Sequence, residues 1–172
     1  MQNRTYSFEI NNLTIETTSK KKKKRLIEGF SIQLSPGEIV GVVGETGAGK
    51  SLSIMASVGL LSLGVQAISG EIIFNNNEYK SNETRNLRRN LGNGIALLFQ
   101  NARGALNPFM RINSQIERVL KIKGIPKSER NEEIRRLLSS VGLSSSSLGS
   151  KYAHQISGGQ AQRVAMACAL AT

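Results

Sequence analysis

The feature that most constrains the fold is a glycine-rich segment, GETGAGKS at 44–51, which directly follows the apolar run IVGVV at 39–43. A continuous apolar run is typical of a strand that is buried on both faces in a parallel sheet. The residues that follow, KSLSIMASVGLL at 50–61, have the composition of a helix. The segment therefore predicts a strand, a tight loop and a helix in direct succession.

The loop has the pattern G-x-x-x-x-G-K-[ST], whose residue types suit a bound triphosphate. Glycines let the backbone wrap around an anion, and the N–H groups at the start of a helix face it with a partial positive charge. Lys50 would reach the β- and γ-phosphates as a mobile cation, and the Ser51 hydroxyl would ligate Mg²⁺. The strand and helix on either side argue against a chance glycine-rich turn. We expect nucleotide binding at Gly44, Glu45, Thr46, Gly47, Ala48, Gly49, Lys50, Ser51 and Leu52.

The net charge of the 172-residue chain is +11, and six consecutive cations, Lys20 to Arg25, supply more than half of it. A basic run can bind nucleic acid or an anionic membrane, but no aromatic residue interleaves this one, so we favour a solvated turn between two strands.

Cys168 is the only cysteine, which excludes an intrachain disulfide and fits a reducing compartment. The apolar stretches are too short to span a bilayer, so we expect a soluble or peripheral protein.

Hydrophobic patterning divides the chain into a β-rich first part, residues 1–99, and a helical second part, residues 100–172. The first two strands alternate in polarity and predict an antiparallel hairpin with a basic tip. The predicted strands cover residues 8–17, 26–34, 39–43, 71–74 and 95–99. The predicted helices of the second part cover residues 112–120, 134–141 and 160–171, with Gly142 as a helix end and a loop at 144–147.

A second glycine motif, ISGGQ at 156–160, stands at the start of the predicted last helix. A Ser-Gly-Gly loop can serve only as a helix cap, yet it also exposes N–H groups that suit an anion. Together with GETGAGKS at 44–51 and Gln100 at the end of a predicted strand, the motif resembles the ATP-binding subunits of ABC transporters in order and spacing. Three further segments resemble the dipeptide, oligopeptide and nickel importers of that family: LLFQNARGALNP at 97–108, YAHQ at 152–155 and SGEIIF at 69–74.

The resemblance implies an α/β fold, the P-loop NTPase of the ABC cassette, with an N-terminal antiparallel β subdomain and an α-helical signature subdomain. It implies ATP and Mg²⁺ as cofactors, and two subunits that pair head to tail with ATP between one phosphate loop and the other signature. Gln100 would be catalytic, because it would ligate Mg²⁺ together with Ser51 or position the attacking water. The signature residues that would contact the partner's ATP are Ser157, Gly158, Gly159 and Gln160.

The implied function is ATP hydrolysis that powers the import of peptides or nickel from a peripheral position on the cytoplasmic face of the cell membrane. The partners would be transmembrane permease subunits, contacted by the helices at 112–141, a second ATP-binding subunit and, indirectly, an extracytoplasmic solute-binding protein. An alternative is a soluble ABC-type ATPase that acts on nucleic acid or the ribosome, which the basic run favours slightly and the LNP segment at 106–108 disfavours. A third is a non-catalytic nucleotide-binding regulator. The solute and the identity of the partner cassette stay open.

The chain departs from the family in two respects. The family usually stacks an aromatic residue on adenine, and the corresponding place, near Thr17, has none. The family also carries a strand ending in Asp-Glu and a switch histidine after the signature, whereas this chain has no aspartate and its single histidine, His154, precedes the signature. We therefore expect a cassette that is incomplete at the C-terminus, binds ATP and hydrolyses it inefficiently, with His154 as a structural residue.

Overall fold

The computed structural model describes residues 7–19 and 23–172, which form two compact units. The first unit extends to Asn90 and the second covers Leu91–Thr172. All strands of the described residues belong to the first unit. Three lysines of the basic run, residues 20–22, lie outside the described residues.

The first unit is built on a four-stranded antiparallel sheet in which the strands lie in the order β2-β1-β3-β4. On the central strand β1, Ile10 pairs with Ile32 of β2 on one side and with Ile72 of β3 on the other. The four strands are β1 (Phe8–Thr17), β2 (Arg25–Leu34), β3 (Val65–Phe74) and β4 (Asn77–Lys80). The predicted hairpin of β1 and β2 is confirmed, and the strand predicted at 71–74 forms the last four residues of the longer β3.

Two helices complete the first unit, α1 (Lys50–Ser57) and α2 (Thr84–Arg88). α1 contacts β1 and β3, and its buried face is formed by small residues, among them Ala56. The apolar core of the unit combines this face with the sheet residues Ile10 and Ile72 and with Leu87 of α2. Packing on the sheet therefore fixes the position of α1 and of the glycine-rich loop that precedes it.

The two apolar runs that we predicted as buried strands are not strands, so this prediction is wrong. Residues 39–43 have no regular secondary structure, and Ile39 and Val43 are 97% and 92% exposed. In the run at 95–99 only Ile95 forms a single bridge, to Leu91. A strand needs a neighbour to satisfy its backbone N–H and C=O groups, and no strand of the described residues pairs with either run.

The second unit is helical, and its core lies among the three longest helices, as the apolar spacing predicted. Its helices are α3 (Ala102–Ala105), α4 (Ile112–Ile122), α5 (Lys127–Ser140), α6 (Ser145–Leu148) and α7 (Gly158–Leu170). Helix α5 ends at Ser140, and Gly142, predicted as the helix end, follows the C-cap residue Val141 with a φ of +68°, a conformation that favours glycine. No helix of the described residues is long and apolar enough to cross a bilayer.

The serine-rich segment at 144–147, predicted as a loop, instead contributes to the one-turn helix α6. Its last residue, Leu148, is buried in the helical core, and the Leu148 N–H donates to the Ser144 carbonyl at 3.2 Å. Burial of the Leu148 side chain explains why a helical turn forms where a loop was predicted. The run of serines alone does not indicate that this leucine is buried.

Candidate nucleotide-binding site

The phosphate loop at 44–51 leads directly into α1, whose first residue is Lys50. Gly47 and Gly49 have φ values of +89° and +88°, which side-chain-bearing residues rarely adopt. A Cβ added at Gly49 would also lie 1.9 Å from the Ile27 Cδ1 atom of β2. The backbone conformation therefore favours glycine at position 49, and a larger residue there would also displace the Ile27 side chain.

Lys50 folds its side chain back over the loop that precedes it. Its Nζ donates hydrogen bonds to the carbonyl oxygens of Gly44 and Glu45, both at 2.7 Å. These bonds place a positive charge beside the loop backbone, within reach of an anion bound there. The arrangement brings together the lysine and the glycine-rich segment that the motif predicted.

The start of α1 offers backbone donors to the same region. The first hydrogen bond of the helix runs from the Ser53 N–H to the Gly49 carbonyl at 2.9 Å, so the N–H groups of Lys50, Ser51 and Leu52 have no acceptor within the helix. No acidic residue stands in the first turn, and the Ser51 side chain is exposed. A helix start of this kind favours an anion.

The signature segment forms a second helix start, at α7. The Ser157 Oγ accepts from the Gln160 N–H at 3.2 Å, and the Gln160 Oε1 accepts from the Ser157 N–H at 3.0 Å, which is a capping box. Gly158 and Gly159 are exposed, and a Cβ on either would meet no atom within 4 Å. Their N–H groups are open to a ligand.

Gln100 is exposed at a bend, one residue before the N-cap of α3. It does not end a strand, contrary to the prediction. The N-cap residue Asn101 accepts from the Gly104 N–H at 3.1 Å. The phosphate loop belongs to the first unit, whereas Gln100 and the signature belong to the second.

A comparison with protein-family models finds a match over residues 27–172 to the family described as ABC transporter. The chain belongs to the ABC transporter family. Among curated relatives, it is 33% identical over 95% of its length to the dipeptide transport ATP-binding protein DppD of Haemophilus influenzae. It is 35% identical over 95% of its length to the oligopeptide transport ATP-binding protein OppD of Salmonella typhimurium. The matches cover 50% and 49% of those proteins, so the chain spans about half the length of these relatives.

Solved structures of ABC cassettes have the same fold. The dimeric cassette MJ0796, in a post-hydrolysis state bound to ADP and Pi, matches 95% of this chain and 69% of its own with a TM-score of 0.80 at 25% identity. A second dimeric MJ0796 structure, described as a bacterial ABC transporter cassette, matches with a TM-score of 0.81 at 24% identity. The α/β ABC-cassette fold that the resemblance implied is therefore confirmed.

Two residues at which this ABC sequence is unusual also have defined positions. Thr17 stands at the end of β1, where its Oγ1 accepts from the Lys24 N–H at 3.1 Å. His154 lies in a 3₁₀ turn at Ala153–Gln155 and stacks on Tyr152, with ring centroids 5.7 Å apart and ring planes 8° from parallel. The Arg111 guanidinium lies 5.9 Å from the Tyr152 ring centroid. The His154 ring is therefore part of an aromatic stack that precedes the signature.

Sequence reasoning missed Arg103, whose guanidinium donates to the carbonyl oxygen of Ile156, directly before the signature serine. The two residues are 53 positions apart, and no sequence pattern links them. The thiol of Cys168 is not a reactive group of the site. Burial raises its pKa to about 11 and keeps it protonated at neutral pH.

Proposed function

We propose that the chain is the ATP-binding part of an importer of peptides or nickel, and that ATP binds at residues 44–52. The observation that carries the proposal is the arrangement at the start of α1. The Lys50 ammonium lies on the backbone of the loop, the N–H groups of the first turn of α1 have no acceptor within the helix, and Gly47 and Gly49 have left-handed conformations. A polyphosphate requires donors and positive charge of this kind.

We assign Mg²⁺ to the hydroxyl of Ser51 in the first unit, and the role of Gln100, as a Mg²⁺ ligand or a water-positioning residue, stays a prediction from the sequence resemblance. Mg²⁺ prefers oxygen ligands and usually keeps waters and phosphate oxygens in most of its coordination shell, so few protein ligands are needed. The Ser51 residue is exposed at the start of α1, so its hydroxyl is accessible to an ion. When bound, the ion neutralises charge on the phosphates.

The signature residues Ser157–Gln160 would bind the ATP held by a second ATP-binding subunit. Support comes from the exposed first-turn N–H groups of Gly158 and Gly159 and from the dimeric state of the related cassette MJ0796. In this arrangement residues 1–99 supply the phosphate loop and residues 100–172 supply the signature. The partner subunit is identical or homologous.

The transported solute is a peptide in the first instance, because the relatives DppD and OppD are named for dipeptide and oligopeptide transport. The proposal of nickel as the transported solute is supported only by the sequence resemblance. The chain would bind permease subunits through the helices at 112–141, on the cytoplasmic face of the membrane, and would act with a solute-binding protein indirectly. Nucleic acid is not favoured, because no aromatic residue interleaves the basic run to stack on bases.

The 172-residue chain by itself would hydrolyse ATP slowly. Hydrolysis needs groups that orient the metal and polarise the attacking water. The sequence contains no aspartate, and the described residues hold no cluster of three histidine, cysteine, aspartate or glutamate side chains. Steady-state phosphate release at the usual rate of a complete ABC subunit would contradict this part of the proposal.

The nucleotide site is tested by titrating the chain with a fluorescent ATP analogue in the presence of Mg²⁺. Lys50→Ala should weaken binding by about tenfold or more, because it removes charge-assisted hydrogen bonds. The matched control is Lys121→Ala, which removes an exposed lysine from α4. Equal affinities for Lys50→Ala and Lys121→Ala would refute the proposed site.

Uptake measurements test the transport function. Cells of the source organism that carry Lys50→Ala in the chromosomal copy should lose uptake of a labelled dipeptide while keeping a normal amount of the protein. Loss of labelled nickel uptake alone would reassign the solute, and unchanged uptake of both would contradict the importer assignment.

A further inference from the structure

Arg103 connects the segment after Gln100 to the signature. It lies in α3, and its Nη2 atom donates a hydrogen bond of 2.5 Å to the Ile156 carbonyl oxygen across 53 residues of sequence. The bond is partly buried, and α3 also packs against α7. None of the motifs that define the nucleotide site includes this arginine.

The carbonyl that Arg103 binds belongs to the peptide group between Ile156 and Ser157, the N-cap of α7. The N–H of the same peptide group, that of Ser157, donates to the Gln160 Oε1 at 3.0 Å. Because a peptide group is planar, hydrogen bonds at both of its edges fix its orientation. That orientation sets the direction of the chain at Ser157, and with it the direction of the Gly158 and Gly159 N–H groups.

Apolar packing and the hydrogen bond make different contributions here. Leu106, next to α3, and Ile156 are 6% and 3% exposed and belong to one apolar cluster, so packing determines where Ile156 lies. Apolar packing is not directional, however, whereas a hydrogen bond depends on the angle of its groups. The direction of the Ile156 carbonyl therefore depends on Arg103.

Arg103 also adds positive charge near the start of α7. The first turn of that helix contains no acidic residue. A guanidinium beside the positive end of a helix dipole strengthens the attraction for an anion placed there. Both contributions act on the same first-turn N–H groups.

We infer that Arg103 is a positioning residue of the signature, which orients the Ile156–Ser157 peptide so that the Gly158 and Gly159 N–H groups face a phosphate. The inference rests on the proposed function, since the phosphate is that of ATP held by a partner subunit. It adds to that function the residue that orients the signature and ties its geometry to the segment after Gln100.

The test uses the full chain with Arg103→Gln, Arg103→Lys and the control Arg135→Gln, which removes an exposed arginine from α5. Sedimentation velocity measures pairing of two chains in ATP and Mg²⁺, and a fluorescent ATP analogue measures binding at the phosphate loop. Arg103→Gln should bind the analogue normally and pair about tenfold more weakly than Arg135→Gln. Arg103→Lys should recover part of the loss, because the ammonium keeps the positive charge and can still donate to a carbonyl oxygen.

Hydrogen exchange separates positioning from general stability. In Arg103→Gln the amides of Ser157 and Gln160, which the capping box protects, should exchange faster, while those of residues 161–170 keep their rates. Faster exchange along the whole of α7 would show a merely structural role and overturn the inference.

The pairing results distinguish a failure of the role of Arg103 from a failure of the proposed function. Arg103→Gln that pairs as strongly as Arg135→Gln overturns the inference and leaves the proposed function intact. An unaltered chain that binds the analogue but does not pair overturns the proposed pairing and this inference with it. If Lys50→Ala binds the analogue as well as the unaltered chain, the nucleotide site itself fails.

Discussion

The helix starts at α1 and α7 both present backbone N–H groups, but their N-caps differ. At α1 the N-cap is Gly49, which has a left-handed conformation and no side chain to accept a hydrogen bond, and the nearby charge comes from Lys50. At α7 the N-cap is Ser157, and a capping box with Gln160 satisfies two N–H groups internally. The first turn of α1 therefore has no side-chain cap, whereas the first turn of α7 has one that leaves the Gly158 and Gly159 N–H groups open.

This difference assigns the two starts different tasks in the proposed function. Donors that the protein does not satisfy gain most from an anion, so the start of α1 should supply most of the affinity for ATP. A start that is already capped has a fixed geometry before any ligand arrives, so the start of α7 should add mainly orientation. Substitutions at the two starts should therefore have different effects.

The largest expected difference is in the free energy of unfolding, between Gly49→Ala at the start of α1 and Gly158→Ala at the start of α7. Gly49→Ala should lower the free energy of unfolding by about 2 kcal/mol, because alanine is disfavoured at a φ of +88° and the Ile27 side chain must shift. Gly158→Ala should be neutral or stabilise the protein by up to about 0.5 kcal/mol, because it has open space and alanine favours helix. Urea unfolding measures both free energies. Equal losses of stability in the two variants would show that the starts of α1 and α7 tolerate a side chain equally.

The same comparison explains what could be predicted from sequence. Local spacing, glycine positions and short-range periodicity are displayed directly by the sequence, and they determine the β1–β2 hairpin, the left-handed glycines before α1 and the helices α4, α5 and α7. The runs at 39–43 and 95–99 were misassigned because an apolar run indicates a need for burial but does not identify the strand that would pair with it. The contact of Arg103 with Ile156 was missed because a side chain that reaches a backbone carbonyl 53 residues away leaves no local pattern.

A smaller effect is expected at the capped start. Ser157→Ala should lower the free energy of unfolding by about 1 kcal/mol, because it removes the N-cap acceptor. Ser157→Asp should keep most of that stability, since aspartate caps helices as well as serine does, yet it should weaken ATP-dependent pairing because it places a negative charge at the proposed phosphate site. Urea unfolding and sedimentation velocity give the two quantities. Normal pairing of Ser157→Asp would contradict a phosphate site at α7.

The smallest effect concerns acid sensitivity of the two units. Glu16 in β1 accepts from the Gln66 Nε2 at 3.0 Å and pairs with Lys23 at 3.2 Å, and chiefly the hydrogen bond from Gln66 lowers the pKa of its carboxyl group. A lowered pKa in the folded state stabilises the protein above the ordinary pKa of glutamate, about 4.3, and this contribution is lost as the pH falls through the lowered value. Glu16→Gln should therefore make Tm less dependent on pH below about 4.3.

Glu133 provides the matched control in the second unit. The hydrogen bond from Arg136 lowers the pKa of this carboxyl group in the same direction, but the pair is an exposed i,i+3 contact within α5. Glu16 instead links β1 to β3 and to the residues at the end of the hairpin, and Ile27 of that hairpin contacts Gly49 at the phosphate loop. Because exposed local pairs contribute little, Glu133→Gln should change the acid dependence of Tm less than Glu16→Gln. Equal changes would mean that the hairpin beside the phosphate loop gains nothing from its long-range partners.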